Sequence, residues 1–164
     1  MIKSYICNLI SQFLTGYNHE KYWDYHFKYE NPQTPYILRR YYWLKLNRIE
    51  GKNNSFIGHF NFGDCPHFAN CPTLPHQLHG IHISNNAKVG KNVVIYQNVT
   101  IGVKSNTDYS APTIGNNVTI CAGAVVIGNV TIGNNVTIGA NAVVVKDIPS
   151  DCIAVGNPAR IIQN

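Results

Sequence analysis

Residues 114–148 read IGNNVTICAGAVVIGNVTIGNNVTIGANAVVVKDI, and a single period runs through them. Ile114, Ile120, Val126, Ile132, Ile138 and Val144 stand six apart, and four places after them come Val118, Ala124, Val130, Val136, Ala142 and Ile148. Upstream, Ile83, Val89, Ile95 and Ile101 keep the same step, with Ala87, Val93 and Val99 at the fourth place. A period of six matches neither an amphipathic helix at 3.6 nor one long strand at 2. It matches a short strand followed by a turn, repeated, with the Ile or Val anchor and the small fourth residue facing inward. Glycine follows the anchor at 90, 102, 115, 133 and 139. With the asparagines, these glycines read as corners that accept positive φ. Stacked coils would then pair each short strand with its equivalents above and below around a continuous aliphatic column.

One interruption carries information. From Ile101 to Ile114 the step is 13 residues, so Val103 to Pro112 (VKSNTDYSAP) must leave the register. A loop projecting from a rigid scaffold is a natural place for function.

Outside the repeat the composition changes. Fifteen of the 18 Phe, Tyr and Trp lie in residues 1–62, and only Phe68, Tyr96 and Tyr109 follow. This divides the chain into an aromatic, helical region over 1–52, a repeat domain over 53–157 and a tail over 158–164. Helices are expected across Tyr5 to Leu14 and Tyr36 to Glu50, separated by Asn31-Pro32-Gln33-Thr34-Pro35 and stopped near Gly51. The mean hydropathy of -0.13 and 13% charged residues argue against disorder, and no apolar run is long enough to span a bilayer. The start shows no signal-peptide pattern. Five cysteines at scattered spacings do not form a disulfide framework and point to a reducing cytoplasm. The net charge of +5 has no dense basic run behind it, so no nucleic-acid partner is expected, although eight of the 13 Lys and Arg fall in residues 1–52.

Three stretches sharpen the reading: LPHQLHGIHISNNAKVGKNVVIYQNVTIG (74–102), APTIGNNVTICAGAVVIGNVTIGNNVTIGANAVVVKDIP (111–149) and VGNPARII (155–162). Together they resemble the hexapeptide-repeat acyltransferases, and within them the serine acetyltransferase group. The Pro-His-x-Leu-x-Gly-Ile segment at 75–81 looks like the shorter branch of capsule and surface-polysaccharide O-acetyltransferases. The resemblance implies a left-handed parallel β-helix, a homotrimer with active sites between subunits, and direct acetyl transfer from acetyl-CoA to a hydroxyl without a metal. Neutral histidine is the implied general base.

His76 fits the family's Pro-His position, and His79 is the fallback. His76 to Gly80 is a step of four, one longer than in serine acetyltransferases. Asp64 is the carboxylate of the preceding coil that would orient the imidazole, or else a turn cap. For CoA the resemblance carries over Gly102, Ala122, Gly123 and Ala140 as small residues along the pantetheine arm, with Lys146 and Arg160 as cations for its phosphates. Serine acetyltransferases carry a basic residue and a histidine just before the proline that follows the loop. Here that stretch is Tyr109-Ser110-Ala111-Pro112. The expectation is therefore a sugar hydroxyl of a surface-polysaccharide precursor, bound by Asn106, Asp108, Tyr109 and Ser110. Free serine is the alternative acceptor and a non-catalytic trimeric scaffold a remote one. A zinc site on His76, His79 and His82 is not expected, because residues three apart project differently from a six-residue coil. The aromatic helices have three roles open: packing on the β-helix, completing the acceptor pocket, or touching a membrane.

Overall fold

The computed structural model describes residues 16–58, 65–105 and 107–162. The expected helix across Tyr5 to Leu14, together with Asp64 and Asn106, lies outside these residues. The described chain opens with α1 (His19–Glu30), which the sequence reading did not anticipate, and α2 (Tyr36–Lys52). Asn18 caps α1 by accepting a hydrogen bond from the Lys21 N–H at 2.9 Å. Proline at 35 opens α2, and Gly51 lies inside its last turn rather than beyond it.

Fourteen short strands follow among the described residues: β1 (Phe56–Ile57), β2 (His67–Phe68), β3 (His82–Ile83), β4 (Lys88–Val89), β5 (Val94–Ile95), β6 (Thr100–Gly102), β7 (Thr113–Ile114), β8 (Thr119–Ile120), β9 (Val125–Ile127), β10 (Thr131–Ile132), β11 (Thr137–Ile138), β12 (Val143–Val144), β13 (Ile153–Val155) and β14 (Arg160–Ile162). They form three sheets, β1-β3-β6-β9-β12 (face A), β2-β4-β7-β10 (face B) and β5-β8-β11-β13-β14 (face C), parallel throughout except for the β13–β14 hairpin. This is a three-faced parallel β-helix of about four turns, consistent with the expected left-handed β-helix. Ile83 pairs with Ile101, and Val126 with Val144, each 18 residues on. Across the loop the partners Ile101 and Val126, Val89 and Ile114, and Ile95 and Ile120 are 25 apart. The loop thus adds seven residues and leaves the register on all three faces intact.

All ten anchors and all nine fourth-place residues are buried. The corners, however, divide their work differently from expectation. Positive φ falls on the residue three after the anchor, as at Asn92, Asn98, Asn117, Asn135 and Asn141, and not on the glycine that follows the anchor. Four of those glycines, at 90, 115, 133 and 139, are required by contact: a Cβ on Gly115 would meet the Gly133 carbonyl oxygen at 2.6 Å, whereas one on Gly102 would meet nothing closer than 3.9 Å. At the corner between faces B and C the asparagines bond from coil to coil. Asn92 Nδ2 donates to Asn117 Oδ1 at 3.1 Å, Asn117 to Asn135 at 3.0 Å and Asn135 to Asp151 at 2.8 Å.

The helices seal the first coil. Trp23 packs edge-on against Phe68 with ring centroids 4.8 Å apart. Glu50, buried, accepts hydrogen bonds from the Tyr22 hydroxyl at 2.7 Å and the Ile57 N–H at 3.1 Å, joining α1, α2 and β1 through one carboxylate. Burial and that neighbouring charge hold the Tyr22 phenol well above its ordinary pKa. Most of the described N-terminal rings are therefore spent on packing. No helix among the described residues is long and apolar enough to cross a membrane.

Candidate active site

The predicted histidines sit on the corner between faces C and A. In ordinary coils this corner takes six residues, from Val94 to Thr100; in the first coil it takes nine, from Thr73 to His82. Leu74, Leu78 and Ile81 are buried beneath the bulge, with Gln77 and Gly80 in positive φ. Local folding thus draws the apolar residues in and throws His76 and His79 out to solvent. His82 lies on β3, outward on face A.

The His76 imidazole rests against Tyr96 of the next coil, ring centroids 5.8 Å apart, and accepts or donates no hydrogen bond among the described residues. Tyr96 was missed from sequence. The signal was there: it is the one aromatic inside the regular repeat. Gln97 beside it has a buried Oε1 with no partner among the described residues, an uncompensated acceptor next to the histidine bulge.

Backbone bonds stack the same corner upward. The Asn98 N–H donates to His79 O, Gly123 N–H to Gln97 O and Asn141 N–H to Ala122 O, each at 3.0 Å. The predicted small residues Ala122, Gly123 and Ala140 therefore form one column above His76. The remaining predicted residues lie elsewhere. Gly102, Lys146 and the loop bearing Asp108, Tyr109 and Ser110 are on the corner between faces A and B, and Arg160 is on β14. The loop is pinned by Asn86 Nδ2 donating to Tyr109 O at 2.8 Å and by the Ser110 N–H donating to Asp108 Oδ1 at 2.9 Å. Those bonds from Ser110, more than the nearby Lys104, hold the Asp108 carboxyl below its usual range. Its charge faces a cavity of about 280 Å³ that Lys104, Ile127, Asn129 and Val145 also line.

A cysteine–histidine pair looks catalytic and is not poised to be. Cys71 Sγ lies 3.1 Å from His19 Nε2, and His19 Nδ1 lies 2.8 Å from the Tyr17 hydroxyl. Burial pushes the thiol up to about 11 and lowers the imidazole, so both stay neutral near pH 7. At pH 8 Cys71 is expected to alkylate with iodoacetamide about a hundredfold more slowly than an ordinary exposed thiol. Peptide mass spectrometry over time checks this; equal rates would show that the neighbouring imidazole ionises the thiol after all.

Residues 111–146 match the family model of the bacterial transferase hexapeptide, six repeats. The matched stretch runs from β7 to β12, so the likeness to this family is a likeness of the repeated coil. Over 84 residues the chain is 49% identical to the serine acetyltransferase of Synechococcus elongatus, covering 51% of this chain and 34% of that protein. Among solved structures it is similar to the Brucella abortus serine acetyltransferase in complex with coenzyme A, with a TM-score of 0.72 and 25% identity over 88% of this chain and 54% of that one. It is also similar to soybean serine acetyltransferase complexed with serine, with a TM-score of 0.67 and 30% identity over 84% of this chain and 53% of that one. The chain thus spans about a third of the curated relative and about half of each solved chain.

These relatives overturn the expected polysaccharide acceptor. That expectation rested on the Pro-His-x-Leu-x-Gly-Ile segment, on the uncharged Tyr109-Ser110-Ala111-Pro112 stretch and on the ring, hydroxyl and amide of Tyr109, Ser110 and Asn106 beside Asp108. Yet the same loop also carries Lys104, which lines one cavity with Asp108.

Proposed function

We propose that the chain is an acetyl-CoA-dependent serine O-acetyltransferase with His76 as general base. The observation that carries it is the identity to serine acetyltransferases on a fold that exposes His76 at the foot of a small-residue column. His76 takes the proton of the serine hydroxyl as its oxygen attacks the thioester carbonyl. The tetrahedral intermediate then collapses, the C–S bond breaks, and the imidazolium returns the proton to the leaving thiolate. Backbone N–H groups are suited to the oxyanion. Gly102, Ala122, Gly123 and Ala140 offer backbone close to the pantetheine arm, and Lys146 and Arg160 offer charge to the phosphates. Asp64 remains the carboxylate proposed to orient the imidazole, and His79 the reserve base.

Within one chain the His76 edge and the loop edge are separated by face A. A homotrimer resolves this by laying the loop edge of one copy against the histidine edge of the next, so that the loop, with Asn106, Tyr109 and Ser110, borders the acceptor. The Lys104 and Asp108 charges are then complementary to the carboxylate and ammonium of an amino acid. Lys104→Ala is expected to raise the KM for serine about tenfold while leaving the KM for acetyl-CoA unchanged; a change in the latter alone would move Lys104 to the CoA side.

The test of the function is thiol release from acetyl-CoA by the purified protein with and without L-serine. Serine-dependent, saturable release is expected. Release indifferent to serine would remove the acceptor assignment, and failure to bind acetyl-CoA would leave a non-catalytic scaffold.

A further inference from the structure

Among the described residues, one face of the helical hairpin is used neither by the fold nor by the proposed chemistry. On α2, Ile37, Tyr41, Leu44 and Arg48 follow at i, i+4, i+7 and i+11 and so share a side, all exposed. Ile37 is 80% exposed and Leu44 55%, far more than a helix packed on a core leaves open. Leu38 and Tyr36 extend the apolar ridge at the start of the helix. Toward its end the same side turns basic.

There a cavity of about 200 Å³ opens between the helices, lined by Lys21, Lys45, Arg48 and Lys52 with the Tyr25 ring as a wall. Lys21 sits over that ring at 5.8 Å and Lys45 over Tyr41 at 5.2 Å. None of the four cations forms an ion pair among the described residues, and no carboxylate lines the cavity. Three of the four acids of the hairpin are bound elsewhere, Glu50 to Tyr22 and Ile57, Asp24 to Lys28 and Glu30 to His67, and the fourth, Glu20 in the first turn of α1, does not line the cavity. Four uncompensated positive charges around a concavity call for an anion, and an apolar ridge continuous with them calls for a nonpolar phase.

We propose that this face docks on an anionic phospholipid surface, with lipid phosphates seated in the cavity and Ile37, Tyr41 and Leu44 in the interfacial layer. The charge complementarity selects this occupant, since a second copy would set the same four cations against themselves. The inference does not depend on the acceptor of the acetyl group.

The full chain is mixed with vesicles of phosphatidylcholine alone or of phosphatidylcholine with phosphatidylglycerol, and the bound fraction is measured by sedimentation at near-physiological salt. Binding only to the phosphatidylglycerol vesicles is expected. Lys45→Gln with Arg48→Gln should weaken partitioning about 25-fold, at a factor of about five per cation. Ile37→Gln with Leu44→Gln should weaken it while keeping the salt dependence. All four positions are exposed, and circular dichroism checks that the helices persist. Equal binding to neutral vesicles, or binding indifferent to both double variants, overturns the proposal. So does loss of vesicle binding in millimolar inorganic phosphate at constant ionic strength, which would make the cavity a soluble-anion site. Concentration-dependent self-association abolished by Leu44→Gln, without vesicle binding, would instead assign the ridge to a second copy.

Discussion

His76→Ala is expected to lower kcat by about 10²- to 10⁴-fold, the range that general acid–base catalysis contributes. Coenzyme A binding and the unfolding midpoint should stay close to those of the unaltered protein. The side chain is exposed and forms no hydrogen bond among the described residues, so its removal opens no cavity. The apolar residues of the bulge, Leu74, Leu78 and Ile81, hold its backbone in place without it. Steady-state thiol release and a CoA titration separate the two effects. His79→Ala is the control, on the same bulge and equally exposed. A His76→Ala protein that keeps more than a tenth of its activity, beside an inactive His79→Ala, would move the base to position 79.

Gly115→Val is expected to cost about 3 kcal/mol or more, at or beyond the upper end of ordinary overpacking. At position 115 a Cβ would meet Gly133 O at 2.6 Å, Gly133 C at 2.7 Å and Asn134 Oδ1 at 2.8 Å. Two of these are main-chain atoms of the next coil, so no rotamer change relieves them. Spreading the coils would lengthen the bond from the Gly115 N–H to Ile132 O, now 2.8 Å, and its equivalents on face B. For a chain of this size the loss corresponds to a midpoint roughly 6–12 °C lower. Gly51→Ala on α2, where an added Cβ meets nothing within 4 Å, should leave the midpoint unchanged or slightly raised. Melting of Gly115→Val within a degree of the parent would show that the coils are not in this contact.

The two glycine positions show how far the sequence could be read. The six-residue step marks inward and outward places directly, because burial repeats with the coil, and every anchor from Ile83 to Val144 is buried as the spacing requires. It does not say why glycine follows an anchor. Positive φ and close approach both select glycine, and only the stacking of one coil on another separates Gly115 from Asn117. Helix α1 escaped notice for a related reason. Its aromatics face α2 and Phe68 on several sides at once, which blurs the period that marks a helix.

Of the candidate site, His76, His79 and the small residues Ala122, Gly123 and Ala140 came from the family resemblance, and the nine-residue bulge that exposes the histidines was not expected. The partnership of His76 with Tyr96 was not, since it joins residues 20 apart on successive coils. The acceptor was misread because attention fell on the residues just before Pro112. Lys104, which that reading left out, lines one cavity with Asp108 on the seven-residue excursion.

The most direct measurement is the hydrogen-exchange footprint of acetyl-CoA on the whole chain. The proposed site predicts protection along the corner between faces C and A, at residues 76–80, 96–98, 121–124 and 139–141, reduced or absent along the asparagine corner at 91–92, 116–117 and 134–135. Protection confined to the asparagine corner, or none at saturating acetyl-CoA, would contradict the placement of acetyl transfer at His76.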